Sequence, residues 1–222
     1  VMESGTVKEI FGGSFKGTLT GSTHVVLKGG TVKYVYGGSN QGTVEKAIIE
    51  LGPDWDFLSR IYAGSYGNTT NSAEVILHNY ATTSSSFITL VASNVQDATV
   101  FVRRDDGGPL NKPNPSSINL ILYNNWNAVV EYGTVTFLGM SGSNLPLTLD
   151  SLEIQASGKV KFQDWGTVTI KKLSGNGGQL LFPAQFLSGT SDIVNKPVVV
   201  EEIDAATSLI IKAEGNGWRD EV

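Results

Sequence analysis

The sequence predicts an all-β chain wound as a right-handed parallel β-helix, a β-solenoid, with residues 1–222 forming a single elongated domain. Three observations predict it. The string Ile10-Phe11-Gly12-Gly13-Ser14 returns as Val35-Tyr36-Gly37-Gly38-Ser39 after 25 positions, and as Ile61-Tyr62-Ala63-Gly64-Ser65 after another 26. In the second half, the apolar-polar-apolar triplets Leu152-Glu153-Ile154, Val160-Lys161-Phe162 and Val168-Thr169-Ile170 start eight residues apart. The composition suits strands and turns: 40% hydrophobic but only 17% charged, with no sustained 3.6-residue periodicity. The runner-up is an antiparallel β-sandwich, which the second half alone would satisfy. The near-exact repeat in the first half favours the solenoid.

The elements follow in order. Val7, Ile10 and Phe11 form the first apolar segment, and Gly12-Gly13 turn the chain. Glycine suits that corner because it reaches positive φ without a Cβ clash. Val25-Val26-Leu27 is a second short strand, ended by Gly29-Gly30. Val32 to Tyr36 alternates faces, with Lys33 opposite Val32 and Tyr34. Gly52-Pro53-Asp54-Trp55-Asp56 reads as an inserted turn. Val75-Ile76-Leu77, Phe87 to Val91 and Thr99 to Val102 continue the strands. Residues 103–117 break the rhythm with Asp105-Asp106-Gly107-Gly108-Pro109 and Pro113-Asn114-Pro115, and are expected to form a projecting loop. Ile118 to Leu122 and the triplets then carry the strands onward, with one helical turn expected within 194–206. Equivalent positions should stack, Gly13 over Gly38 over Gly64, with Asn, Ser and Thr at the turns forming hydrogen-bonded ladders.

Charge and composition narrow the function. The formal net charge is -5 and no Lys/Arg-dense tract occurs, so no nucleic-acid partner is expected. The chain has no cysteine, which removes disulfides, thiolate metal sites and Cys nucleophiles. No apolar run reaches about 20 residues, so no membrane insertion by this segment is expected. The first repeat is under way by Val7, and the chain is expected to be a fragment of a longer one.

The candidate ligand-binding residues are Trp55, Trp126, Trp165, Arg103, Arg104, Asp105 and Asp106. Trp55 lies between Asp54 and Asp56, Trp126 between Asn125 and Asn127, and Trp165 follows Asp164. A ring rimmed by carboxylates and amides suits a sugar, whose CH face stacks while its hydroxyls take hydrogen bonds. Each ring could equally cover a coil edge. Arg103-Arg104-Asp105-Asp106 is the densest charge cluster, suited to an acidic sugar or to local pairing on a solvated loop. Asp54 and Asp56 lack the further carboxylates a calcium loop needs. His24 and His78 flank apolar strands with no acidic partner evident at ligand spacing, and read as structural. No metal, cofactor or catalytic residue is expected.

The pattern Gly29-Gly30-Thr31-Val32, Val35-Tyr36-Gly37-Gly38 and Gly42-Thr43-Val44 resembles the glycine-punctuated repeats of large bacterial cell-surface proteins. These include adhesin-like and autotransporter-passenger-like parallel β-helices. The resemblance covers residues 5–77, and the remainder by rhythm alone. It implies an exported bacterial protein, extracellular or on the cell surface, used for structural display or adhesion. Its expected partner is a host or bacterial surface glycan or protein. The alternative is a polysaccharide-active enzyme of the pectate-lyase-like β-helix type, with Arg103, Arg104, Asp105 and Asp106 near its site.

Overall fold

The structure, a computed structural model, describes residues 1–78, 87–104, 117–139, 145–163, 166–183 and 198–214. At 53–59, 117, 182–183 and 213–214 it describes the backbone alone. The strands are β1 (Thr6–Phe11), β2 (Leu19–Tyr36), β3 (Val44–Tyr62), β4 (Thr70–His78), β5 (Ile88–Val91), β6 (Val95–Arg103), β7 (Ser117–Tyr123), β8 (Trp126–Leu138), β9 (Leu147–Gln163), β10 (Val168–Pro183), β11 (Val198–Ile203) and β12 (Ser208–Glu214). Every strand pairing among them is parallel. The chain is a parallel β-solenoid, and the antiparallel sandwich is excluded.

Two columns show the winding. Ile10 pairs with Val35, Val35 with Ile61, Ile61 with Leu90, and Leu90 with Leu122. On the other face, Val25, Ile49, Val75, Val100, Ala128, Leu152, Leu173 and Ile203 follow one another in register. Strand side chains alternate faces, so an apolar residue at every second position points inward, where its coil equivalents do the same. Apart from Ile203 at the last rung, all the members of that second column are buried. Each buried aliphatic side chain contributes about 1.5–3 kcal/mol, and like stacks on like along the length.

The triplets are buried as expected at Val135, Phe137, Leu152, Ile154, Val160, Phe162, Val168 and Ile170. Their eight-residue spacing, however, mixes two steps. Leu152 and Val160 lie on the two arms of β9, on either side of Gly158. The coil step is the pairing Val135↔Val160, with Phe137↔Phe162 beside it; those two rings stack at 5.5 Å.

The corners differ from expectation in an instructive way. Gly12, Gly13, Gly37 and Gly38 do not have positive φ; Gly5, Gly17, Gly30, Gly133 and Gly177 do. The need at the repeated Gly-Gly is close approach. A Cβ at Gly12 would strike the Gly37 carbonyl oxygen, and one at Gly38 would lie 2.8 Å from the Ser65 nitrogen. The strings stack as expected: Gly13 N–H donates to Gly38 O at 2.9 Å and Gly38 N–H to Gly64 O at 3.1 Å. Beside them runs a serine ladder. Ser14 N–H donates to Ser39 Oγ at 3.1 Å, Ser39 N–H to Ser65 Oγ at 3.0 Å, and Ser65 N–H to Thr70 Oγ1 at 2.9 Å. Ser39, Ser65 and Thr70 are fully buried, and these bonds satisfy amides that the turn removes from the ladder.

Three local expectations are corrected. β2 runs through Gly29-Gly30, bending there instead of ending. β3 runs through Gly52 to Asp56, where a turn was expected; register shifts between Leu27 and Gly29 and between Val32 and Tyr34 absorb its extra residues as bulges. Val198–Ile203, inside the segment expected to hold a helical turn, is a strand. The projecting loop expected at 103–117 touches described residues only at its ends. Arg103 closes β6, Arg104 follows it and Ser117 opens β7, while 105–116 lie outside the described residues.

Candidate functional site

Outward positions on β2, β3, β4, β6 and β8 build one polar strip. His24 lies in β2, Glu50 in β3 and His78 at the end of β4. Glu50 aligns with Val26 below and Ile76 above. His24 is two residues before Val26, and His78 two after Ile76, so all three point outward and Glu50 reaches diagonally to both neighbouring coils. His24 Nε2 lies 3.1 Å from Glu50 Oε2, and His78 Nε2 lies 3.1 Å from Glu50 Oε1. His78 Nδ1 is buried without a hydrogen-bond partner among the described residues. The hydrogen that meets Glu50 is the one on Nε2, since the geometry offers Nδ1 no acceptor among the described residues.

One coil on, His78 aligns with Arg103. Arg103 Nε donates to Glu131 Oε1 at 3.0 Å, and its guanidinium lies 4.2 Å from the centre of the Phe101 ring. Arg104, exposed, lies 5.6 Å from the Tyr132 ring centre. Arg103 thus takes its carboxylate from Glu131 of the next coil, while Arg104 lies beside Tyr132. Asp105 and Asp106 lie outside the described residues.

The strip's electrostatics limit its chemistry. Burial pushes the Glu50 carboxyl up, but hydrogen bonds from His78 and His24, with their charges, outweigh it and hold the group below its ordinary 4.5. A carboxylate with a lowered pKa and both oxygens engaged is a weak general base. Arg103 is likewise engaged by Glu131 and Phe101. Among the described residues no group of three or more His, Cys, Asp or Glu is placed to hold a metal ion, and no helix is long and apolar enough to cross a membrane.

Of the three tryptophans, Trp126 departs from expectation. Trp126 is 0% exposed and packed in the core, and its Nε1–H donates to Tyr123 O at 3.0 Å. Its ring has no face left for a sugar, and the expectation of a ligand-binding role there is corrected. Its polar neighbours misled because Asn125 and Asn127 point out to Asp150 and Asp97 while the ring between them points in. For Trp55 the backbone alone is described, paired with Gly30. Trp165 lies outside the described residues.

No family model, curated protein or solved structure matches this chain. Its architecture is established by its own pairings, and its place among bacterial surface proteins is a matter of proposal.

Sequence reasoning missed Glu50 as the partner of both histidines. The signal was present: His24 and Glu50 are 26 residues apart, the step from Val35 to Ile61 in the repeat. A search for acidic residues at coil spacing finds it, whereas a search for short ligand motifs does not.

Proposed function

We propose that the chain is a non-enzymatic segment of an exported bacterial surface protein, serving extension, display and attachment. The observation that supports this reading best is that its outward polar groups are used on one another, coil to coil. Lys46 Nζ meets Glu74 Oε1 at 2.6 Å. Asn127 Nδ2 donates to Asp97 Oδ1, and Ser151 Oγ to Asn127 Oδ1, both at 2.7 Å. Lys171 Nζ donates to Asp150 Oδ1 at 2.6 Å. The His24–Glu50–His78 and Arg103–Glu131 contacts continue the same habit. A chain that stacks its charges in this way is built as a rod, with nearest-neighbour coils carrying one another.

The test is retention without turnover. Fluorescently labelled chain is incubated with bacterial and epithelial cells and, separately, with polygalacturonate and other acidic polysaccharides. The reading predicts saturable retention on a cell surface and no new reducing ends or unsaturated products. Polysaccharide breakdown that is lost in Arg103→Ala would overturn it in favour of the polysaccharide-active alternative. Absence of retention on every surface tested would remove the attachment role.

A further inference from the structure

The repeated corner carries a second feature that the polar strip does not use. Phe11, Tyr36 and Tyr62 stack in a column with ring centroids 4.6 Å apart at both steps and interplanar angles of 5° and 11°. The turn that follows each ring presents Phe15, Asn40 and Tyr66 at equivalent positions, one residue after the stacked serines Ser14, Ser39 and Ser65. Backbone bonds hold this register: Asn40 N–H donates to Ser14 O at 3.1 Å, Gln41 N–H to Phe15 O at 2.9 Å, and Tyr66 N–H to Ser39 O at 2.9 Å.

Two of these three residues are exposed aromatics, Phe15 at 67% and Tyr66 at 62%. Tyr66 is not a loose side chain. Its ring meets Tyr36 at 5.4 Å and 86°, so its plane runs along the solenoid axis while the planes of the stacked rings lie across it. Asn94 Nδ2 fixes the backbone of Tyr66 by donating to its carbonyl at 3.1 Å. Between the two rings sits Asn40, whose side-chain amide makes no hydrogen bond to the protein among the described residues.

We infer that Phe15, Asn40 and Tyr66 form a platform for an extended, neutral β-linked glycan lying along the solenoid axis. One rung advances ~4.8 Å, and the backbone positions that carry the two rings are two rungs, ~9.6 Å, apart. A rung is close to the advance of one pyranose ring in an extended β-linked chain, so alternate sugars meet the two aromatic rings. The sugar between them meets the Asn40 amide, which can donate to and accept from hydroxyls. Lys16, with its ammonium 5.8 Å from the Phe15 ring centre, is the one charged side chain on this turn column. A curved α-linked chain cannot keep this register. The proposal deepens the attachment role above and rests on it, replacing the buried Trp126 with rings that are open to solvent.

The test is titration calorimetry of the chain with cellohexaose, chitohexaose and maltohexaose. Saturable binding of a β-linked hexasaccharide is expected, at least about tenfold stronger than that of maltohexaose. Tyr66→Ala and Phe15→Ala are each expected to weaken it by about tenfold, and Tyr66→Phe to retain it. Thermal unfolding of the three variants verifies that each remains folded. Binding of neither β-linked ligand, equal binding of maltohexaose, or unchanged affinity in both alanine variants would overturn the site. If the chain is retained on cells but both variants are retained equally, attachment stands and this platform falls. Failure of retention itself leaves calorimetry to decide the platform on its own.

Discussion

The strongest constraints at the scale of single residues are spatial. Gly38 sits where the next coil passes so closely that a Cβ would crowd the Ser65 hydroxyl, nitrogen and Cα at once. Gly38→Ala therefore forces the two turns apart and breaks the Ser39–Ser65 bond. The expected loss is about 2–3 kcal/mol, from overpacking and an unsatisfied buried amide together, measured by urea denaturation. Gly17, with φ 114° and nothing near a built Cβ, is limited only by backbone strain, so alanine there should cost about 1 kcal/mol. A Gly38→Ala cost no larger than that of Gly17→Ala would contradict the close-approach account.

Glu50 sets a pH dependence at the same scale. Its carboxyl is held below 4.5 in the folded chain, so its ionised form contributes stability that is fully present above the unfolded value. That stability is lost as pH falls through the lower folded value. Glu50→Gln should lower stability at pH 7 by about 1 kcal/mol, with the difference from wild type closing as the solution is acidified through that window. Denaturation midpoints measured from pH 7 down to pH 3 check this, and a gap that stays constant with pH would count against it. Tyr36 shows the opposite direction. Burial, with Tyr62, Glu9, Tyr66 and Tyr34 around it, pushes its phenol up to about 12.

At the scale of elements, each strand carries two faces with different duties. β8 shows this at its start, where Trp126 is buried while Asn127 bonds outward to Asp97 and accepts from Ser151. Trp126→Ala should cost about 3–5 kcal/mol as a core cavity, seen in thermal or urea unfolding, while any glycan affinity of the folded variant stays at the wild-type level. A variant of wild-type stability with lost sugar binding would reverse that assignment.

The element scale also shows where sequence reading succeeds and fails. The strand cores were legible because period-2 burial and coil repetition coincide at Val35, Ile49, Val75 and Val160. Corners were less so. Pro53 and Asp54 read as a turn, yet β3 carries them as a bulged bend because the neighbouring β2 supplies a template. The eight-residue triplet spacing could not by itself distinguish a step across a corner from a step between coils. Polar neighbours around tryptophans were ambiguous for the same reason, since strand alternation places adjacent residues on opposite faces. The His24–Glu50–His78 bridge needed the coil step applied to charged residues as well as to glycines.

For the whole molecule, the parallel register makes stability local. Each coil contacts its neighbours, so stability is close to a sum of coil and interface contributions, with little coupling between distant coils. Coil length varies at both corners: the Gly-Ser corner spans 12–18, 37–43 and 63–69 in the first three coils, but only 124–125 between β7 and β8, and 184–197 between β10 and β11. The chain passes directly from one arm to the other inside β2 and β3, but uses residues 79–87 between β4 and β5 and 104–116 between β6 and β7. The Gly-Ser corner opposite keeps its stacked bonds through the first three coils. Over those three coils the corner keeps one length, and the serine ladder and the Phe15–Asn40–Tyr66 column lie within that constant stretch.

The central claim is in-register parallel stacking of equivalent positions, and the absence of cysteine allows a direct test. Ile48 and Glu74 are aligned outward neighbours on β3 and β4, at the ~4.8 Å strand spacing and within the Cα range of roughly 4.4–6.8 Å for an unstrained disulfide. Ile48 and Ile76, one outward position out of register, lie at about 8 Å by the same geometry. Mild oxidation should cross-link Ile48→Cys/Glu74→Cys readily and without loss of stability, and leave Ile48→Cys/Ile76→Cys reduced. Preferential cross-linking of the second pair, or of neither, would contradict the solenoid register.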